Sequence, residues 1–291
     1  MSIHIFGCHH PLCSYIQSHH TSNSEVILYT RTPGCGEFHY DLLFDKISSG
    51  DILISLMPIY NFSLFVLTNQ EKFKLLSTLH IISLSSSSIF SKLTAKSYDK
   101  SLYIHFLNGE LNMTRFIDLF PNFKLCILRL SMIWGNNSDK NISRLYYIMN
   151  KYHIMLFNSN CNGRRAPLHY SDLALVIRQI IVNSVFPSGT FTVMGKSVLT
   201  YRQMVSLIIS STSLSDKLVY SIFIPSILIK ASLAILHPFR IMSLVSILSM
   251  LDRQSSDLVF NADSIYTYLD KAPEFLDFKY HLNLLSTKNS L

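Results

Sequence analysis

Two adjacent arginines lie close to a histidine in the segment GRRAPLHYSDLA. A guanidinium group is a fork of fixed N–H donors that matches phosphate oxygens, so Arg164 and Arg165 suit an anionic diphosphate ligand. Arg144 is a second candidate for the same ligand. Asp172 could instead cap the helix that begins beside it.

The histidines and cysteines form no recognisable metal motif. The pairs at 9–10 and 19–20 are adjacent in sequence, and adjacent side chains on a helix point apart. The five cysteines are irregularly spaced and contain no CxxC, which argues against a disulfide framework or a zinc site and favours a reducing cytoplasm. We therefore predict no metal site. Walker, HExxH and Gly-x-Ser-x-Gly motifs are also absent from the sequence.

The composition is that of a folded and basic protein. Of its 291 residues, 48% are hydrophobic and 15% are charged, and the formal net charge is +7. A basic balance suits anionic partners such as phosphates. The lysines and arginines are spread along the chain without a dense run, so nucleic-acid binding is not expected.

Short apolar runs alternate with helical patterns, which is typical of βαβ units. The runs are continuous rather than alternating, as in strands buried on both faces of a parallel sheet. The expected strands are 2–6, 25–30, 51–56, 80–84, 124–130 and 190–194. The expected helices are 11–20, 62–79, 101–120, 171–182 and 200–209, the last with a capping box of Thr200 and Gln203.

These elements predict an α/β fold: a Rossmann-type parallel sheet with helices on both faces, plus a smaller, mostly helical C-terminal substrate lobe. We expect residues 1–135 to form the dinucleotide-binding core, with 166–194 returning to it. Residues 136–165 and 195–291 are assigned to the lobe.

The most apolar segment, 218–251, is interrupted by prolines, a histidine and basic residues, so a membrane-spanning helix is not expected. Two short apolar helices buried in the core are the favoured interpretation. Peripheral contact with a membrane surface is the alternative.

Seven segments in the same order resemble the extended short-chain dehydrogenase/reductase family, and within it the NAD-dependent epimerase/dehydratase proteins. They are IHIFG (3–7), GDILISLMP (50–58), ISLSSSSIF (82–90), LRLSMIWG (128–135), GRRAPLHYSDLA (163–174), GTFTVMGKSVLTYRQMV (189–205) and DLVFNADSIYTYLDKAPEF (257–275). Residues 85–92 are similar to a stretch of short bacterial nucleoside-diphosphate-sugar epimerase-like proteins of surface-polysaccharide pathways. The resemblance implies a nucleotide-sugar substrate, which it places at Arg164, Arg165 and His169. It also implies, as often in this family, a homodimer.

The resemblance also implies NAD or NADP as cofactor. The family's Gly-x-x-Gly-x-x-Gly pattern falls on Gly7, His10 and Cys13, so only the first glycine is kept. A Cβ at the second position should crowd the pyrophosphate, and one at the third should push the helix away from the sheet. His10 could instead offer a side-chain donor to phosphate.

Further cofactor contacts are implied at the ends of two strands. Leu56 ends the third expected strand and Pro58 follows it, at the edge where such sheets bind ligands. The second strand ends in Thr30 and Arg31, where an acidic residue would hold the ribose of NAD. Arg31 would suit the extra phosphate of NADP, or it could be an ordinary surface residue.

The family's catalysts are a serine or threonine and a Tyr-x-x-x-Lys pair, in which the phenol exchanges a proton with the sugar. The resemblance places the serine at Ser86. Glu110 matches the glutamate that follows the family's lysine, which puts the lysine position at Phe106 and the tyrosine position near Leu102. Neither of these residues can transfer a proton.

Other residues near those positions are therefore the candidates. Tyr98 and Tyr103 could replace the family tyrosine, with Lys92 and His105 nearby. Two functions stay open: an NAD(P)-dependent nucleotide-sugar epimerase, reductase or dehydratase, or a non-catalytic binding or regulatory protein. A third reading puts the apolar helices on a membrane near a lipid-linked sugar.

Overall fold

The computed structural model describes residues 1–19, 24–34, 36–92, 97–135, 139, 141–211, 214, 218–236, 250–260 and 264–288. The strands, in chain order, are β1 (Ile3–Phe6), β2 (Val26–Thr30), β3 (Phe38–His39), β4 (Ile52–Ser55), β5 (Leu79–Ser86), β6 (Phe123–Leu130), β7 (Ile133–Trp134), β8 (Ile154–Asn158), β9 (Arg164–Arg165), β10 (Leu168–His169), β11 (Gly189–Val193), β12 (Leu199–Thr200) and β13 (Tyr220–Ile224).

The helices are α1 (Leu12–His19), α2 (Ile59–Thr68), α3 (Gln70–Phe73), α4 (Ser88–Lys92), α5 (Ser97–Leu119), α6 (Ile142–Tyr152), α7 (Tyr170–Val182), α8 (Tyr201–Ser210), α9 (Ser226–Leu236) and α10 (Phe278–Lys288). Short 3-10 helices lie at Tyr40–Asp45 and Ile265–Tyr268.

The chain divides into two compact units. Unit 1 comprises Met1–Ser131, Tyr170–Val193 and Phe260–Glu274. Unit 2 comprises Met132–His169, Met194–Val259 and Phe275–Leu291.

Unit 1 is built on a seven-stranded sheet in the order β11-β6-β5-β4-β1-β2-β3. All of its strand pairs are parallel. The order runs outward in opposite directions from β1 and β4, and ligands of such sheets bind at the carboxyl ends of the strands at this reversal. The predicted Rossmann-type sheet is confirmed.

Helices cover both faces of this sheet. Accordingly, every side chain of strands such as β1 and β4 is buried. On one face, α2 and α5 pack against each other and against strand residues such as Phe6 and Leu53. The alternate strand residues, including Ile5 and Ile54, are also buried, and α1 packs with α7.

The helix predicted at 62–79 is wrong in its extent. It starts earlier, at Ile59, and is divided at Asn69, which ends α2 and precedes α3. The Asn69 side chain donates to the carbonyl of Phe65 at 2.9 Å, a local bond that competes with helix continuation. The last residue of the predicted helix, Leu79, begins β5.

Unit 2 combines helices with two-stranded sheets, which pair β7 with β10, β9 with β12, and β8 with β13. Its core includes Trp134, Met149, Met204 and Leu282. The predicted capping box at Thr200 is present and starts α8.

The apolar segment differs from its prediction. Its start forms strand β13 rather than a helix, and only then does α9 follow. Leu218, Ile227 and Leu228 are exposed, so the expected burial in the core does not hold for them. Residues 237–249 lie outside the described part of the chain. Among the described residues, no helix has both the length and the apolar composition needed to cross a bilayer.

Candidate functional site

The turn after β1 and the end of β4 meet at the carboxyl edge of the unit 1 sheet. Gly7 has a φ of 81°, which favours glycine, and a Cβ there would lie 3.6 Å from the carbonyl carbon of Leu56. The N–H of Leu56 donates to Phe6 at 2.9 Å. The structure thus brings together Gly7 and Leu56, two predicted cofactor contacts. Pro58, a third, is exposed and precedes α2.

The N–H groups of the turn from Gly7 into α1 form hydrogen bonds within the turn itself. His10 N donates to Gly7 at 2.8 Å, and Cys13 N donates to the carbonyl of His10 at 2.9 Å. Leu12 N donates to the His10 ring nitrogen Nδ1 at 3.2 Å, and Pro11 has no N–H. A helix start normally offers such groups to an anion. Here a diphosphate would have to be held by side chains instead.

His10 is the side chain placed to do so. Because its Nδ1 accepts from Leu12, the ring proton lies on Nε2, which remains a donor. Burial lowers the pKa of His10, so the imidazole is neutral at pH 7. Its ring stands edge-on to Tyr170, with centroids 5.8 Å apart.

A carboxylate from the loop after β2 reaches the same turn. Glu37 Oε2 accepts from Gly34 N at 2.8 Å and lies 3.1 Å from His9 Nε2. The Cys8 thiol also bonds to Glu37. The Gly34 N–H and these contacts hold the pKa of Glu37 below its usual value, whereas burial and Glu37 raise the pKa of Cys8 to about 12.

Cys8, His9 and Glu37 bring three metal-ligating atoms within 4.8 Å of one another. In the structure, these side chains are joined by hydrogen bonds, with the neutral thiol as a donor. Thr30, at the end of β2, is buried, and Arg31 beside it is exposed.

These groups fit a dinucleotide in a modified way. The glycine turn keeps its backbone conformation at Gly7, the imidazole of His10 supplies one donor, and the carboxylate of Glu37 supplies an acceptor for hydroxyl groups. The backbone donors that this fold normally gives to a diphosphate are used internally.

The serines at the end of β5 have different hydrogen-bond partners. Ser85 donates to Glu110 at 2.6 Å, inside the unit. Ser86 is half-buried, and its Oγ accepts from Ser88 N at 3.2 Å and lies 2.8 Å from Ser88 Oγ. Ser86 therefore lies partly exposed at the carboxyl end of β5.

Glu110 is paired with Arg129, which donates to it through Nε and Nη2 at 2.6–3.2 Å. The guanidinium also lies over the ring of Phe90, 4.9 Å from its centroid. Arg129 therefore serves the fold of unit 1.

Phe106, which the resemblance puts at the lysine position, packs against the core and edge-on to Tyr60. Tyr103 is half-exposed on α5, and His105 is exposed with its ring 5.6 Å from Tyr60. The side chains of Tyr98, Lys92 and Leu102, named in the sequence analysis, lie outside the described residues.

In unit 2, the two adjacent arginines have different surroundings. Arg164 is exposed and forms an ion pair with Asp257 at 2.9 Å. Arg165 is buried and donates to the carbonyls of Arg164, Arg253 and Ser256. Burial lowers its pKa to about 10. Its guanidinium thus holds β9 to the turn at 253–256.

The remaining predicted substrate residues are also in unit 2. Arg144 is exposed on α6. His169 is 8% exposed; its ring stacks on His281 with centroids 3.9 Å apart and lies edge-on to Trp134. In unit 1, Asp172 is buried in the first turn of α7, where a helix favours negative charge.

Sequence reasoning missed the place of Glu37 at the glycine turn and the stack of His169 on His281. The only local signal for Glu37 was the pair of glycines, Gly34 and Gly36, that lets the loop reverse just before it.

No family model matches the sequence, and no curated protein sequence matches it. Solved structures do resemble it. A UDP-N-acetylglucosamine 4-epimerase from Bacillus cereus aligns over 99% of both chains with a TM-score of 0.69 at 15% identity. MoeE5, solved with UDP-glucose and NAD, aligns over 100% of this chain and 99% of its own, with a TM-score of 0.69 at 14% identity.

A third structure is a UDP-N-acetylglucosamine 4-epimerase from Methanobrevibacter ruminantium M1 in complex with UDP-N-acetylmuramic acid. It aligns over 100% of this chain and 99% of its own, with a TM-score of 0.66 at 10% identity. The likeness establishes the fold along the whole chain.

Proposed function

We propose that this chain, which has the fold of UDP-sugar 4-epimerases, binds NAD or NADP and a nucleotide sugar and acts on the sugar as an epimerase, reductase or dehydratase. The observation that carries the proposal is the extent of the likeness, which covers 99% of this chain and of the Bacillus cereus enzyme and so includes both units. Surface-polysaccharide sugar metabolism in the cytoplasm is the setting that the sequence resemblance suggests.

When bound, NAD or NADP would supply hydride transfer to or from the sugar. Ser86 would orient a sugar hydroxyl or carbonyl at the edge of the sheet. Its oxygen accepts from Ser88 N, which leaves its own proton for Ser88 Oγ or for a sugar oxygen. Tyr103 is the candidate acid or base among the described side chains, because its phenol is half-exposed on α5.

The arginines of unit 2 would bind the diphosphate of the substrate. Arg164 pairs with Asp257, but both are exposed, and such pairs contribute little, so a phosphate can replace the carboxylate. Arg144 is also exposed. Arg165, whose donors are used by backbone carbonyls, would act by positioning Arg164.

A second function is favoured by one observation. Phe106, which the resemblance puts at the position of the family lysine, packs into the core, so no lysine would lower the pKa of a tyrosine from there. A protein that binds the same ligands without turning them over would have this arrangement.

Calorimetric titration of the purified full chain with NAD, NADP, UDP-glucose and UDP-N-acetylglucosamine tests the proposal. We expect both ligand classes to bind and Arg164→Ala to weaken UDP-sugar binding about tenfold or more, through loss of a charge-assisted contact. Arg115→Ala, which removes an exposed arginine of α5, is the control and should leave affinity unchanged. A chain that binds no UDP-sugar would refute the proposal.

Turnover separates the two functions. Proton NMR of UDP-sugars incubated with the cofactor-loaded chain would show a new sugar if the protein is an enzyme, and Tyr103→Phe should abolish that conversion without loss of binding. Tight binding of both ligands with every tested sugar unchanged would favour the second function.

A further inference from the structure

The edge between β1 and β2 holds an acidic group that the sequence does not place there. We propose that Glu37 is the residue that binds the adenosine ribose and that it makes the protein select NAD over NADP. This inference rests on the proposed function, because it assigns the cofactor of the same site.

Dinucleotide-binding sheets hold the ribose hydroxyls with an acidic residue beyond the second strand, close to the glycine turn. Here β2 ends in Thr30, which is buried, and Arg31 follows it. Neither carries a carboxylate. The acid has to come from elsewhere in the chain if a ribose is bound at this edge.

The backbone places Glu37 at that point. Phe38, the next residue, pairs with Tyr29 near the end of β2. The carbonyl of the same Tyr29 accepts from Gly7 N at 3.0 Å and from Cys8 N at 3.3 Å. One residue of β2 therefore fixes both the turn after β1 and the strand that follows Glu37.

The side chain of Glu37 points to the turn. It contacts Cys8 and His9, which directly follow Gly7, and its side chain is 17% exposed. The bonds from Gly34 N and His9 Nε2 both end on Oε2. His9 is 59% exposed, so its ring can turn away and release an acceptor site to a ligand hydroxyl.

The chemistry of this group distinguishes the two cofactors. The N–H of Gly34, with Cys8 and His9, keeps the pKa of Glu37 low, so the group is an anion at neutral pH. A carboxylate accepts hydrogen bonds from the two hydroxyls of the ribose of NAD. The same charge repels the 2′-phosphate of NADP, which carries no hydroxyl donor at that position. Arg31 is exposed, whereas Glu37 contacts the turn itself.

The test compares NAD and NADP binding to the full chain by calorimetry, with EDTA present so that no divalent ion occupies Cys8, His9 and Glu37. The wild type should bind NAD at least about tenfold more tightly than NADP, the size expected for hydrogen bonds to a charged group. Glu37→Gln keeps the shape of the side chain and should weaken NAD binding about tenfold, bringing the two affinities close together. Asp41→Asn, which changes a carboxylate that is 81% exposed, is the control and should match the wild type.

The outcomes are distinct. Preference of the wild type for NADP, or unchanged NAD affinity in a Glu37→Gln variant that melts like the wild type, would overturn the inference while leaving the proposed function in place. Binding of UDP-sugar but of neither dinucleotide would overturn the proposed cofactor use and this inference with it. An Arg31→Ala variant that keeps the preference for NAD would support Glu37 as the selecting residue.

Discussion

Replacement of Arg129 by methionine tests its ion pair with Glu110 in unit 1. The guanidinium donates to both oxygens of Glu110, and the side chains are 21% and 7% exposed. Methionine fills a similar volume but removes the charge. Among the residues that the structure describes, only Ser85 would then still donate to the Glu110 carboxylate.

The cost follows from the burial of the charge left behind. Breaking a buried pair by removing one partner costs about 3–5 kcal/mol, because the remaining charge is desolvated without compensation. Arg129 is partly exposed, and water can enter where its side chain was, so the lower end, about 3 kcal/mol, is expected. With a denaturant slope of about 3 kcal/mol per molar urea, the midpoint should fall by about 1 M.

The assay is urea unfolding followed by far-ultraviolet circular dichroism. The matched control is the double variant Arg129→Met with Glu110→Gln, in which no charge is left buried. Because the two residues are in direct contact, the double variant should lose about 1–3 kcal/mol less than the sum of the two single losses. A loss under about 1 kcal/mol for Arg129→Met, or fully additive losses, would show that the pair is not the buried and coupled unit described above.

Two further predictions concern pH and backbone geometry. Burial lowers the pKa of His4, which bonds to Asp51. The stabilising effect of this residue is therefore present above about pH 6.5 and is lost as pH falls, because the unfolded chain then takes up the proton. His4→Gln should make the melting temperature depend less on pH between pH 7 and 5, and an unchanged pH dependence would contradict this. A Cβ at Gly135 would clash with the ring of His169, whereas Gly50 also has a positive φ but open space around it. Gly135→Ala should therefore destabilise the chain by several kcal/mol more than Gly50→Ala, as measured by thermal melting.

The sheet could be predicted from the sequence because its strands are continuous apolar runs. The run expected at 124–130 is β6 (Phe123–Leu130), and the run at 51–56 contains β4 (Ile52–Ser55). A strand that is buried on both faces is a continuous apolar run, so it can be recognised from residues that are adjacent in sequence. The break of the helix at Asn69 was missed because the asparagine side chain bonds to the backbone in only one of several conformations open to it.

The candidate site was less accessible to sequence reasoning. Residue type suggested that Arg165 binds an anion, but its donors go to carbonyls at Arg253 and Ser256, which are remote in sequence. Glu37 and Cys8 lie in different loops and meet only because β1 and β2 are neighbours in the sheet. Contacts of this kind depend on the order of the strands in the sheet, and they cannot be inferred from composition or from the spacing of residues.

The first unit is assembled from three separate stretches of chain, and this affects how it can be made. Strand β11, which completes one side of the sheet beside β6, and helix α7, the packing partner of α1, both belong to its second stretch, Tyr170–Val193. During synthesis, most strands of the sheet therefore leave the ribosome well before β11 is made, and the edge of β6 that pairs with β11 stays exposed until then. A truncated gene that stops after Ser131 would yield a chain with that flank open and α1 uncovered, and such a product should aggregate rather than serve as an isolated cofactor-binding domain.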